Sequence, residues 1–156
     1  MAYQRILVPV DGSATSQRGL QEAIALARLT GGRLRLLHVV DELSFATGFE
    51  TGTAFLGDVI PLMREAGQAV LQQACAQAET AGVPAEPVLC DRFATRVCDA
   101  VTQEARQWRA DLIVLGTHGR RGVGRLLLGS DAEQVLRLAQ VPVLLVRAPQ
   151  EAQPGC

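Results

Sequence analysis

Leu112-Ile113-Val114-Leu115-Gly116-Thr117-His118-Gly119-Arg120-Arg121-Gly122-Val123-Gly124-Arg125-Leu126-Leu127-Leu128-Gly129-Ser130 is the stretch on which the fold turns. Its leading apolar residues read as a strand buried on both faces, the mark of a parallel sheet. The strand opens into a loop with glycine at 116, 119, 122, 124 and 129, arginine at 120, 121 and 125, and no acidic residue. A helix start follows. Unpartnered backbone N–H groups and the positive end of a helix dipole favour anions there, phosphate above all.

Apolar runs of the same kind recur at 6–10, 34–40, 87–90 and 141–146. Helical spacing fills the intervals. Leu20, Ile24 and Ala27 share a face, as do Val97, Val101, Ala105 and Trp108, and then Ala132, Val135, Leu136 and Ala139. A longer helix over 59–81 is expected to turn Met63, Ala66, Val70 and Ala74 inward. Gly31-Gly32 and Gly82 fit helix stops. Strand and helix alternate throughout, so the expectation is an α/β fold: one open five-stranded parallel sheet with helices on both faces. No repeat or linker divides the chain, and residues 1–147 are expected to form a single domain. The Pro-containing polar tail, 148–156, reads as disordered. Residues 41–58, with four acidic and no basic side chains, read either as a lid or mobile loop or as an excursion without a role.

Composition removes several function classes. The 156 residues carry a formal net charge of −1, so nothing draws the chain as a whole to nucleic acid or an anionic membrane. All 15 basic residues are arginine, which excludes a Walker A site and a Schiff-base lysine. Cys75, Cys90, Cys98 and Cys156 form no CxxC pair and suit free thiols in a reducing compartment. With no signal-like segment and no apolar run of roughly 20 residues, the expected location is cytoplasmic and the expected membrane contact none. Gly119, Gly122 and Gly124 run G-x-x-G-x-G, the reverse of the dinucleotide fingerprint. His38 sits in a core-type strand, and His118 lacks a nucleophile partner, so no catalytic residue is assigned.

In an open parallel sheet, ligands bind beyond the carboxyl ends of the strands. The first strand ends in Pro9-Val10-Asp11-Gly12-Ser13. If it neighbours the fourth, Asp11 faces the glycine loop, where a carboxylate commonly holds Mg²⁺ through water. An Asx turn or a helix cap explains Asp11 equally well. Ser130-Asp131-Ala132-Glu133 has the spacing of a capping box, which gives Ser130 a structural task beside any contact with phosphate.

Gly116-x2-Gly119-x9-Gly129-Ser130 matches G-2x-G-9x-G-[S/T], the signature of the ATP-binding branch of the universal stress proteins. The flanks agree: Ile6-Leu7-Val8-Pro9-Val10-Asp11-Gly12-Ser13, Leu37-His38-Val39 and Val141-Pro142-Val143-Leu144-Leu145-Val146. The chain thus resembles that family over about residues 3 to 147. The resemblance implies a Rossmann-like sheet of order 3-2-1-4-5 and a bound ATP with Mg²⁺. By matching position, Pro9, Val10 and Asp11 would line the adenosine and metal side, with Asp11 reaching Mg²⁺ through water. Val39 would meet adenine through its backbone. Gly116, His118, Gly119, Arg120, Gly129, Ser130 and Asp131 would surround ribose and phosphates. Asp131 departs from the family, which usually has an uncharged residue there, and Asp91-Arg92-Phe93-Ala94 lacks the glycine common after the third strand. The implied function is nucleotide-dependent regulation or stress adaptation. A partner-binding scaffold without nucleotide and a slow ATP hydrolase are the alternatives. A homodimer through the edge formed by Val141 to Val146 is also expected, because an exposed apolar edge invites pairing.

Overall fold

The computed structural model describes residues 2–42, 56–117 and 128–148. Ser13 starts the first helix: its backbone is extended and its Oγ accepts the N–H of Ser16 at 3.2 Å. Gly31 ends that helix in the left-handed region, φ 70°, where glycine costs least. The chain runs β1 (Arg5–Pro9), α1 (Ala14–Thr30), β2 (Arg33–Val39), α2 (Leu56–Thr80), β3 (Ala85–Cys90), α3 (Val97–Trp108), β4 (Leu112–Gly116), α4 (Ser130–Leu138) and β5 (Val143–Val146).

All pairings are parallel and the strand order is β3-β2-β1-β4-β5, as the resemblance implies. β1 is central, and Ile6, Leu7 and Val8 are fully buried. One face carries Ile6, Val8, Leu34, Leu36, Leu112 and Val114 against Leu20, Ala23 and Ala27 of α1 and Leu71, Ala74 and Ala78 of α2. The other carries Leu7, Leu37, Ile113 and Leu115 against Val101, Ala105 and Trp108 of α3 and Ala132 and Val135 of α4. Burial on both sides is why the inner strands read as unbroken apolar runs.

Two faces differ from the sequence reading. In α2 the sheet-facing residues include Gly67, Leu71, Ala74 and Ala78, while Ala66 is exposed. A Cβ on Gly67 would lie 2.5 Å from His38 Cδ2, so only glycine lets the helix seat on that ring. In α4, Leu136 is exposed, and Ala132 and Val135 face inward. The expected tail from 148 onward lies, apart from Ala148, outside the described residues.

Candidate functional site

The carboxyl ends of β1, β2 and β4 lie side by side. At β1, Asp11 Oδ1 accepts the N–H of Ser13 at 2.8 Å, and the N–H of Asp11 donates to Ser16 Oγ at 3.1 Å. Of the readings left open for Asp11, the Asx turn is formed, and Gly12 completes it at φ 83°. Val10 is buried, Pro9 half-buried, and the N–H of Val10 donates to Leu37 at 2.8 Å.

At β2, His38 Nδ1 lies 2.8 Å from the carbonyl of Val10. A carbonyl only accepts, so Nδ1 carries the proton and the buried imidazole ties β2 to β1. This is the structural role that its core-type strand suggested. Val39 is half-buried at the strand end. The N–H of Val40 bonds Cys90 at 2.8 Å, and that of Glu42 turns back to the carbonyl of Val40 at 3.2 Å. Glu42 therefore stays at the rim.

At β4, Gly116 serves packing. A Cβ there would lie 2.7 Å from the backbone carbonyl carbon and oxygen of Thr15, and one on Gly19 would lie 3.3 Å from the N of Gly116. The paired glycines let α1 begin directly against the end of β4. The sequence reading gave Gly116 only a ligand-facing role; Gly19, on the buried side of α1, was the signal for this contact. Thr117 donates its N–H to Val146 at 3.0 Å and accepts that of Gly129 at 2.8 Å. These bonds fix the two ends of the connection, residues 118–128. His118, Gly119 and Arg120 lie outside the described residues.

The capping box expected at Ser130 is not formed. Gly129 is the N-cap and brings no side chain to α4, and Ser130 is the first helical residue, exposed. The Glu133 carboxylate pairs with Arg137 at 2.7 Å, one turn on, instead of reaching back. The α4 N-terminus thus lacks the side-chain acceptor that α1 has in Ser13. A helix start of this kind, with backbone donors and a positive dipole end, attracts anions, although exposed Asp131 places a carboxylate in that first turn.

Sequence reasoning missed two further groups. Among the described residues, the buried side-chain polar atoms without a hydrogen bond are Glu42 Oε2 and Thr117 Oγ1. They belong to residues only 7% and 6% exposed. One follows β2 and the other β4, the strands that flank β1. A buried group left unpaired costs about 1–3 kcal/mol, so these two polar atoms are a local cost to the fold. Thr117→Val, which removes the orphan hydroxyl at nearly constant shape, is expected to stabilise the ligand-free protein by about 1 kcal/mol, a rise in melting temperature of roughly 2–4 °C. A lower melting temperature would show that the hydroxyl is partnered.

Other chemistry is thin. Burial, reinforced by neighbouring Asp99, pushes the Cys98 thiol upward; burial and then Glu79 do the same to Cys75. Both stay protonated at neutral pH, unsuited to nucleophilic work. Among the described residues, no three His, Cys, Asp or Glu side chains group as a metal site, and no helix is long and apolar enough to cross a membrane.

The comparisons with known proteins agree with this architecture. A universal stress protein of Methanocaldococcus jannaschii is 33% identical over 149 residues, covering 96% of this chain and 85% of that one. A crystal structure of a universal stress protein family member from Burkholderia pseudomallei matches with TM-score 0.76 at 34% identity, covering 94% and 97% of the two chains. A universal stress protein from Archaeoglobus fulgidus, solved in complex with dAMP, matches with TM-score 0.67 at 26% identity over 94% of this chain and 99% of that one. The model of the universal stress protein family matches residues 2–147. Fold, rim and relatives thus lead to one assignment: the chain belongs to the universal stress protein family.

Proposed function

We propose that this chain binds ATP, with Mg²⁺, across the carboxyl ends of β1, β2 and β4, and that the nucleotide-bound state serves regulation or stress adaptation in the cytoplasm. The observation that carries the reading is the N-terminus of α4, whose N-cap Gly129 brings no side chain, directly after a glycine- and arginine-rich connection. The Archaeoglobus fulgidus relative with dAMP supports adenine as the base. Pro9, Val10 and Val39 hold the adenosine side. Gly116, His118, Gly119, Arg120, Gly129, Ser130 and Asp131 surround ribose and phosphates, and Arg120 supplies charge that a phosphate can pair with. The reading assigns no catalytic residue, and the domain spans residues 1–147. Nucleotide extracted from the purified protein tests the reading: adenine nucleotide supports it, and a nucleotide-free protein that also ignores added ATP favours the scaffold alternative.

Asp11 acts through the metal in this proposal. The ion's charge is shared with phosphate oxygens and Asp11 reaches it through water. Asp11→Asn keeps an oxygen for the Ser13 N–H and removes the charge. It is expected to weaken Mg·ATP about tenfold, a charge-assisted contact of ~1.4 kcal/mol, and to leave metal-free ATP unchanged or tighter. Equal losses with and without Mg²⁺ would reduce Asp11 to its turn.

The same reading includes a homodimer through Val141 to Val146. β5 lies at the sheet edge, and Leu144 is 40% exposed there. Antiparallel pairing of two copies satisfies the edge N–H and C=O groups. Leu144→Lys is expected to give monomers in sedimentation at micromolar concentration with ATP affinity within about twofold, since Leu144 is not among the residues assigned to the nucleotide. A wild-type monomer under those conditions rules the dimer out.

A further inference from the structure

We propose that the amino end of the sheet is a docking surface for an acidic segment of a partner protein, held by Arg5, Arg33 and Arg109. The inference does not depend on the nucleotide reading. Arg5 opens β1 and Arg33 opens β2, and the two are register partners. Two like charges therefore start from neighbouring strands, about 4.8 Å apart. Both reach Trp108, the last residue of α3. Arg5 Nη1 donates to its carbonyl at 3.0 Å, and the Arg33 guanidinium lies 6.0 Å from its ring centroid. Arg109 follows directly, in the left-handed region at φ 57°. Arg35 also stacks on the ring, at 4.8 Å, but Glu86 and Glu104 hold it at 2.8 and 2.6 Å. Among the described residues, Arg5, Arg33 and Arg109 form no ion pair with a carboxylate. Asp111 beside them accepts the backbone N–H groups of Gln4 and Arg5, at 2.8 and 3.0 Å.

Two local costs fall on arginine here. Like charges set opposite each other across a ladder repel. A residue with a Cβ is disfavoured in the left-handed turn that ends a helix, where α1 uses Gly31. Compensation of the α3 dipole calls for one cation, and Arg106 in the last turn supplies it. It explains neither the left-handed Arg109 nor a second cation at Arg33. Strained positions that persist point to a use for the side chain. The use these residues offer is forked donors, since an arginine binds a carboxylate through two parallel N–H···O bonds. Arg33 and Arg109 are exposed and present such donors to solvent. Nucleic acid fits less well. Trp108 is only 7% exposed and gives no face on which a base can stack. Exposed Glu86, on the strand beside β2, also repels a phosphate backbone. A short run of Asp and Glu brings separate carboxylates to separate forks.

The experiment is fluorescence anisotropy of a labelled Asp/Glu octapeptide titrated with the full chain at low salt, each variant first checked by thermal melting. Wild type should bind saturably, and more weakly as salt rises. Arg33→Ala/Arg109→Gly should bind at least about tenfold more weakly. Arg18→Ala/Arg64→Ala removes the same charge elsewhere and should stay within about twofold of wild type. Arg109→Gly alone should weaken the peptide and yet raise the melting temperature by about 2 °C, because glycine relieves the left-handed backbone. A purely structural role for Arg109 would not give both. Should the double variant not fold, Arg33→Gln alone should still weaken the peptide roughly threefold. Wild type that does not bind the peptide saturably overturns the proposal, as does a control variant that weakens it as much as Arg33→Ala/Arg109→Gly. A single-stranded oligonucleotide of equal charge that displaces the labelled peptide at lower concentration than unlabelled peptide overturns it in favour of nucleic acid.

Discussion

Gly116→Ala is expected to lower the melting temperature by roughly 6–12 °C, the equivalent of about 3 kcal/mol of overpacking. The added Cβ would stand 2.7 Å from the carbonyl carbon and oxygen of Thr15 and 3.0 Å from the N of Ser16. Those atoms are backbone, held by the first turn of α1, so they cannot swing aside as a side chain tip can. Relief requires α1 to lift from β4, which loosens the core formed by Leu20, Ala23 and Val114. Scanning calorimetry reads the effect without any ligand. An unchanged melting temperature would mean that the contact between α1 and β4 is slack, and Gly116 would then owe its place in the signature to the ligand alone.

Gly129→Val should act in the opposite way: little change in stability, and loss of at least ~100-fold in ATP affinity, about 2.8 kcal/mol. Gly129 has φ −57° and ψ 147°, ordinary extended backbone that valine adopts without strain. The sequence alone allowed two causes for such a loss, strained angles or a blocked approach; the observed angles leave the blocked approach. A Cβ at the N-cap stands between an incoming phosphate and the N–H groups that open α4. Titration calorimetry on the folded variant decides: unchanged affinity removes the α4 terminus from the site.

The contrast between these two glycines shows where sequence reading stops. Both lie in the same signature, and spacing alone cannot separate a glycine facing a helix backbone from one facing a ligand. The inner strands were legible because double burial leaves an apolar run, as at 112–115. The edge strands were less so. β3 begins at Ala85, ahead of the apolar run that starts at Pro87, because its outer residues are exposed and carry no apolar signal; Pro87 is tolerated on an edge. β5 begins at Val143, after Pro142, whose carbonyl accepts from Ile113. The face of α2 was misread at Ala66 because Gly67 has no hydrophobicity to announce that it sits on His38. Ser130 had cap spacing, but the helix begins one residue earlier than a serine cap requires. Glu42 and Thr117 were invisible as orphans, since burial comes from residues distant in the chain.

The proposed function rests on the rim binding an adenine nucleotide, and titrating the nucleotide-free wild-type protein with ATP in the presence of Mg²⁺ tests that most directly. Saturable binding of one ATP per chain is expected, with a melting temperature that climbs as ligand exceeds its dissociation constant, about 2.7 kcal/mol of added stability at 100-fold excess. No binding heat and no shift in melting at millimolar ATP would contradict it.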